Sequence, residues 1–147
     1  CDARRSFLAG PDNATGARTQ LTYPDTRTAS STYSDDGLLT SVTGPAGDTI
    51  LYCYRADGSL LTTTLPNGIT TSYTYDDAGR LASISHAKGT TLLSVSYTRD
   101  ENGNPTTIDD SLAGQSSYSF DALDQLTAEV RSGTTTSYKP TTPSATA

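Results

Sequence analysis

The sequence predicts an all-β fold, an antiparallel meander of hairpins, on three observations. Strand-forming residues are abundant: the 147 residues include nine tyrosines, and Ser and Thr together make nearly a third of the chain. Turn glycines recur at a fixed interval, with Gly37, Gly58 and Gly79 spaced by 21 residues, Gly103 following after 24 and Asp124 taking the place 21 later. Before each of them aromatic and polar residues alternate, as in a half-buried strand. Self-similarity near 20 residues marks a repeat architecture.

The totals narrow the function classes. Only 33% of residues are apolar, with no Trp or Met and two Phe, a composition that covers a sheet but struggles to fill a thick core. Such hydropathy also suits a disordered chain, which the tyrosines and the regular pattern oppose. The net charge is -6, and no cationic cluster exceeds Arg4-Arg5, so the footprint of a nucleic-acid binder is missing. No apolar run is long enough to span a bilayer and no signal peptide is read, an absence that says little for a mature product or a fragment.

Residues 1–30 are read as one or more irregular first repeats. Cys1-Asp2-Ala3-Arg4-Arg5 looks like a Tyr-Asp start with Cys in the tyrosine place, so the chain is expected to begin inside a repeat. Thr22-Tyr23-Pro24-Asp25-Thr26-Arg27 reads as a turn. Residues 31–138 hold five repeats of about 21 residues, entered through Ser31-Thr32-Tyr33-Ser34, Tyr52-Cys53-Tyr54-Arg55, Tyr73-Thr74-Tyr75-Asp76, Tyr97-Thr98-Arg99-Asp100 and Tyr118-Ser119-Phe120-Asp121. Residues 139–147 are a Pro/Thr/Ser-rich tail or linker.

The most regular copy, Ser72 to Leu81, explains the geometry. Asp76 can accept hydrogen bonds from the turn backbone, and Gly79 supplies the positive φ that closes a three-residue loop of type I plus glycine bulge. That loop pairs Asp76 with Arg80, and therefore Tyr75 with Leu81 on one face. Leu39, Leu60, Pro105 and Leu126 stand in the same place as Leu81.

Second turns follow about ten residues on, at Gly44-Pro45-Ala46-Gly47, Leu65-Pro66-Asn67-Gly68 and His86-Ala87-Lys88-Gly89, with weaker copies at Leu112-Ala113-Gly114 and Arg131-Ser132-Gly133. Two turns per repeat mean two strands per repeat, hence ten or so strands. Asp121 to Val130 is the one helix candidate, and its place in the repeat assigns it to a strand.

Same-phase strands lie two strand spacings apart, so leucines are expected between the tyrosines in a Tyr–Leu band along one face. The remaining Thr and Ser positions are not assigned to a face. The recurring structural set is Tyr33, Gly37, Leu39, Tyr52, Tyr54, Gly58, Leu60, Tyr73, Tyr75, Asp76, Gly79, Leu81, Tyr97, Gly103, Tyr118, Phe120 and Leu126.

The pattern Tyr-x-Tyr-Asp-x-x-Gly-Arg-Leu, intact at Tyr73 to Leu81, resembles the YD repeat of the Rhs and teneurin proteins. Thr22-Tyr23-Pro24-Asp25 and Thr43 to Thr49 look like the inter-repeat turns of the same family, and the resemblance covers about residues 1–138. It implies a long spiralling β-sheet that closes as a hollow shell. Bacterial Rhs proteins enclose a toxic C-terminal domain in it, and teneurins use a similar shell in cell-surface adhesion. Closed shells need many more than five repeats, and this sequence shows neither the Asp-Pro-containing closing segment nor a toxin domain, so it reads as wall material and the resemblance carries over no toxin activity.

Catalytic and ligand chemistry finds little support. His86, the only histidine, is expected in an exposed turn with no triad partners. Asp35-Asp36, Asp76-Asp77 and Asp109-Asp110 read as turn formers rather than acid/base pairs. Asp100-Glu101-Asn102-Gly103-Asn104 is oxygen-rich but lacks the spacing of a calcium loop, and no Cys/His spacing suits zinc. Cys1 and Cys53 sit at different repeat offsets, which opposes a bridge; a lipid-anchored Cys1 is a further reading, and Asn13-Ala14-Thr15 is a glycosylation sequon.

The expectation is therefore a non-enzymatic, extracellular or cell-surface structural module without cofactor, partnered by other repeats of its own or a larger chain. Two alternatives stand beside it. Unpaired edges suit self-assembly into a fibre or tube by strand addition, helped by the weakly charged segments Leu60 to Leu65 and Gly133 to Ser137. Exposed tyrosines suit adhesion to a surface receptor or a glycan, since aromatic faces stack on pyranose rings.

Overall fold

The computed structural model describes residue 12 and residues 16–139. Among the described residues twelve strands run in sequence order through one antiparallel sheet. They are β1 (Gln20–Thr22), β2 (Thr28–Tyr33), β3 (Leu39–Thr43), β4 (Thr49–Tyr54), β5 (Leu60–Thr64), β6 (Thr70–Tyr75), β7 (Leu81–Lys88), β8 (Thr90–Arg99), β9 (Pro105–Asp110), β10 (Gly114–Phe120), β11 (Leu126–Arg131) and β12 (Thr134–Ser137). The ten or so strands expected are thus twelve, because β1 and β12 extend the meander at its ends. The helix candidate divides into a turn and β11. The chain clusters into two compact units, Cys1–Ser72 and Tyr73–Ala147.

In the first unit the bulged loop occurs five times among the described residues. The amide of Ser34 donates to the carbonyl of Leu38 and that of Gly37 to Ser34, at 2.8 and 2.9 Å, and the same pair of bonds closes the loops at Tyr23–Arg27, Gly44–Asp48, Arg55–Ser59 and Leu65–Ile69. The residue before the last must adopt positive φ. Gly58 does so at +82°, and Thr26 is forced to +68° although a β-branched side chain disfavours it.

A second irregularity lies in the strand after each repeat turn. Tyr33 pairs with Leu39 but Thr32 pairs with Ser41, which leaves Thr40 as an extra residue. Tyr54 pairs with Leu60 and Cys53 with Thr62, leaving Leu61 extra. These β-bulges reset the parity of the strand. As a result Tyr33, Leu39, Val42, Ile50, Tyr52, Tyr54 and Leu60 share one face by register, and Thr32, Ser41, Leu51, Cys53 and Thr62 share the other.

The second unit repeats the scheme. Arg99 pairs with Pro105 past an extra Thr106, and Phe120 with Leu126 past an extra Thr127. The Asp76–Arg80, Asp100–Asn104 and Asp121–Gln125 loops carry the same backbone bonds, with Asp124 in the glycine place at φ +59°. Asp tolerates this region better than most residues do. The 24-residue interval is absorbed by β7 and β8, which run 8 and 10 residues and turn at Gly89. This corrects the expected His86 turn: His86 lies within β7, half-buried and paired with Leu93.

Among the described residues no hydrophobic side chain is fully buried, and only Thr71 and Ser116, each 7% exposed, fall in the buried class. The sheet is held by backbone ladders and cross-strand pairs, each pair worth roughly 0.2–1 kcal/mol, rather than by a core. Backbone strain is then a visible fraction of stability. Gly58→Ala is expected to cost about 1–2 kcal/mol, and Thr26→Gly to gain a few tenths to about 1 kcal/mol. Urea unfolding of both variants checks the opposite signs.

Candidate functional site: the repeat turns and the tyrosine locks

Two faces of different chemistry emerge from the register. In the second unit Ile84, Val95, Tyr97 and Ile108 lie on the face that carries the aromatic residues, and Ser83, Ser94, Ser96, Thr98 and Thr107 on the other. The tyrosines within the strands are half-buried, whereas Thr32, Cys53, Thr74, Thr98 and Ser119 are exposed. The bulges gather hydroxyls on the second face. Thr32 Oγ1 lies 2.8 Å from Thr40 Oγ1 and 2.7 Å from Ser41 Oγ; Thr98 Oγ1 repeats this with Thr106 and Thr107 at 2.9 and 2.5 Å, and Thr74 with Ser83 at 2.6 Å.

On the tyrosine face successive repeats are locked to one another. The Tyr54 hydroxyl donates to the Leu39 carbonyl at 2.8 Å, and Tyr33 donates to that of Arg18 at 3.1 Å, both 15 residues back. In the repeat that follows the longer one Arg99 replaces the tyrosine, and its Nη1 donates to the Leu81 carbonyl at 2.6 Å, with the guanidinium 5.4 Å from the Tyr97 ring centre. A hydroxyl bonded to a neighbouring main chain holds the ring low against the sheet. Phe120 stands in the same place and has no hydroxyl to offer.

The turns explain why aspartate follows the tyrosine. Asp76 Oδ1 accepts from the Ala78 and Arg80 amides at 3.1 and 2.8 Å, and Oδ2 from Arg80 Nε at 2.8 Å. Asp121 accepts from the Leu123 and Gln125 amides, both at 2.9 Å. In the second repeat Arg55 occupies the place, and Asp57 takes over by accepting from the Ser59 amide at 2.8 Å. Neighbouring turns also touch. An atom added at Gly103 as a Cβ would sit 2.7 Å from Arg80 Nη1, and Asn102 and Asn104 both donate to Asp124 Oδ1, at 2.9 and 2.7 Å.

These bonds place several of the chemical candidates. Asp100 is taken up by the Asn104 amide and side chain, at 2.8 and 3.1 Å, and no cluster of three or more His, Cys, Asp or Glu among the described residues could hold a metal ion. Asp110 ends β9 and accepts from the Leu112 and Ala113 amides; Asp109 lies in the strand rather than in a loop, which corrects its assignment as a turn former. Cys53 is an exposed free thiol on the hydroxyl face. Cys1, Arg4-Arg5 and the Asn13-Ala14-Thr15 sequon lie outside the described residues. Pattern reasoning on the sequence misses the bulges and the locks.

Several turn carboxyls are held below the ordinary value of 3.8: Asp76 by the backbone and side chain of Arg80, Asp57 by the backbone of Ser59, and Asp110 by the backbone of Leu112 and Ala113. Depressed folded values mean that this stability is complete above the ordinary carboxylate range and is lost as pH falls through the folded values. The urea midpoint is expected to stay level from about pH 7 to 5 and to fall below about pH 4. Asp76→Asn should lower the midpoint at pH 7 and flatten part of that fall. Tyr54→Phe, which removes one lock, is expected to cost about 0.5–1.5 kcal/mol, read from the same urea midpoints at pH 7.

Comparison with known proteins agrees with this geometry. The RHS repeat family model matches residues 54–91 and 99–136, together just over half of the chain. No curated protein sequence matches it. Among solved structures, the chain is similar in fold to the Photorhabdus luminescens Tc holotoxin pore that carries a mutated TccC3, with a TM-score of 0.72 and 22% identity over 86% of this chain and 7% of that one. It is likewise similar to the TcdB2-TccC3-Cdc42 structure (TM-score 0.66, 23% identity, 80% of this chain and 6% of that one). TcdB2-TccC3 without its hypervariable C-terminal region gives a TM-score of 0.67 and 24% identity over 80% of this chain and 6% of that one. The chain therefore spans less than a tenth of the length of these structures. By its repeats, its turns and the family match, the chain belongs to the RHS repeat family.

Proposed function

We propose that this chain is a non-enzymatic structural module of an extracellular or cell-surface protein, a length of Rhs-repeat sheet forming part of the wall of a larger shell. The observation that carries the reading is the form of the sheet: a single layer in sequence order that ends in β12, whose four residues are all exposed and which pairs only with β11 among the described residues. An unpaired ladder edge of Thr and Ser is a place for a further strand. The small share of the Tc structures that this chain spans supports a partial wall.

In this reading the work is mechanical. Each turn reverses the chain, each ladder templates the next strand, and the recurring set from Tyr33 to Leu126 keeps aromatic and aliphatic groups on one face. The partners are neighbouring repeats of a larger chain, and a toxin or receptor belongs to that larger protein.

A second reading rests on the same edge. Copies of the chain could add β12 to a neighbour's first strand and grow as fibres or tubes. Size-exclusion chromatography with light scattering, followed by negative-stain microscopy, separates the two. The wall reading predicts small single particles. Regular fibres that disappear in Thr135→Lys would replace it with self-assembly.

A further inference from the structure

Two loops carry the dipeptide Asn-Gly at the same place, Asn67-Gly68 and Asn102-Gly103, each with the glycine in the left-handed conformation, at φ +82° and +97°. Their asparagines are held differently. Asn67 Oδ1 accepts from the Ile69 amide at 3.0 Å, just as Asp57 Oδ1 accepts from the Ser59 amide at 2.8 Å in the same position of its own loop. A carboxylate can therefore take the place of Asn67. Asn102 instead uses its nitrogen: Nδ2 donates to Asp124 Oδ1 in the neighbouring turn at 2.9 Å, beside Asn104 Nδ2 at 2.7 Å. A carboxylate at residue 102 has no donor to offer there.

Asparagine followed by glycine is chemically labile, because no side chain shields the glycine amide nitrogen. Once deprotonated, that nitrogen attacks the asparagine Cγ. The new C–N bond forms as the Cγ–Nδ2 bond breaks, and the side-chain nitrogen leaves as ammonia, taking up the displaced proton. Water then opens the cyclic imide to aspartate or to its iso form. One water is consumed, one ammonia is released, and nothing is oxidised or reduced. In the closed loop the Gly103 amide donates to the Asp100 carbonyl at 3.1 Å and the Asn102 amide to Asp124, so the reaction waits on opening of this turn, where Asn102 is exposed.

We propose that Asn102 is a spontaneous deamidation site whose conversion loosens the tie between neighbouring repeat turns, so that turn opening leaves a lasting chemical record. The product takes a donor away from Asp124 and sets another carboxylate in its place. The two turns already hold Asp100, Glu101 and Asp121, and the Arg80 guanidinium, which lies against Gly103, is bonded to Asp76 at 2.8 Å. The added charge therefore meets repulsion. In the iso form the main chain also gains an atom between residues 102 and 103, and the loop bonds lose their geometry.

The test incubates the 147-residue chain in mildly alkaline buffer, folded and in urea, and follows each asparagine by peptide mapping with mass spectrometry. Asn102 should convert in the folded chain, about tenfold or more slowly than in urea, since the folded loop opens only part of the time. Asn102→Asp should lower the urea midpoint, and Asn67→Asp, whose bond already suits a carboxylate, should lower it less. Exchanging the pair, Asn102→Asp with Asp124→Asn, restores a carboxylate–amide bond of reversed polarity and should recover most of the loss in a double-mutant cycle. An Asn102 amide that survives in the folded chain while it is lost in urea, equal effects of Asn102→Asp and Asn67→Asp, or a loss that the exchange does not recover would overturn the proposal.

Discussion

The left-handed residue that closes each bulged loop is the constraint on which the rest of the sheet depends. With Gly79 at φ +76°, the Asp76 amide can reach the Arg80 carbonyl while the Gly79 amide bonds back to Asp76. This pairing sets the first residue of the following strand opposite the aromatic residue before the loop, as with Tyr54 and Leu60. Were the loop one residue shorter, every side chain of the next strand would change face. Where glycine is absent the conformation persists at a price, in Thr26 and Asp124. The turn bonds are therefore strong enough to impose backbone strain.

The strand bulge is the complement of the loop. It inserts Thr40, Leu61, Thr106 or Thr127 and returns the remainder of the strand to the parity that the tyrosine face needs. It also places two adjacent side chains on the hydroxyl face, which is why hydroxyl groups of Thr32, Thr40 and Ser41 meet. A sheet without a buried core thus acquires two faces of distinct character, one aromatic and aliphatic, the other hydroxylated. Tyr54 and Arg99, bonded to carbonyls of the preceding repeat, tie successive hairpins together. Because each repeat contacts mainly its neighbours, stability is expected to build repeat by repeat.

Much of this fold is legible in the amino-acid sequence. The 21-residue glycine interval carries the hairpins, and the bulged loop at Gly79 carries the Tyr–Leu pairing. The bulges are harder to read, although the sequence holds their trace: Leu39 and Val42, and Pro105 and Ile108, are three residues apart on one face, a spacing that a regular strand forbids. A strict period of two leaves the Thr and Ser positions unassigned for this reason. Lys88-Gly89 mimics the wider second turns and so draws His86 into one by pattern, while the inserted residues in fact lengthen β7 and β8 into a tighter turn.

That turn bonds and ladders, without a core, hold this chain in one register is tested most directly by amide hydrogen exchange followed by NMR. Slow exchange is predicted for the loop amides of Gly58, Gly79 and Arg80, whose bonds close the turns, together with protected ladder amides in the interior strands and the weakest ladder protection in β12. Uniformly fast exchange with disordered-chain chemical shifts would contradict it, and the repeats would then be a composition without a fold.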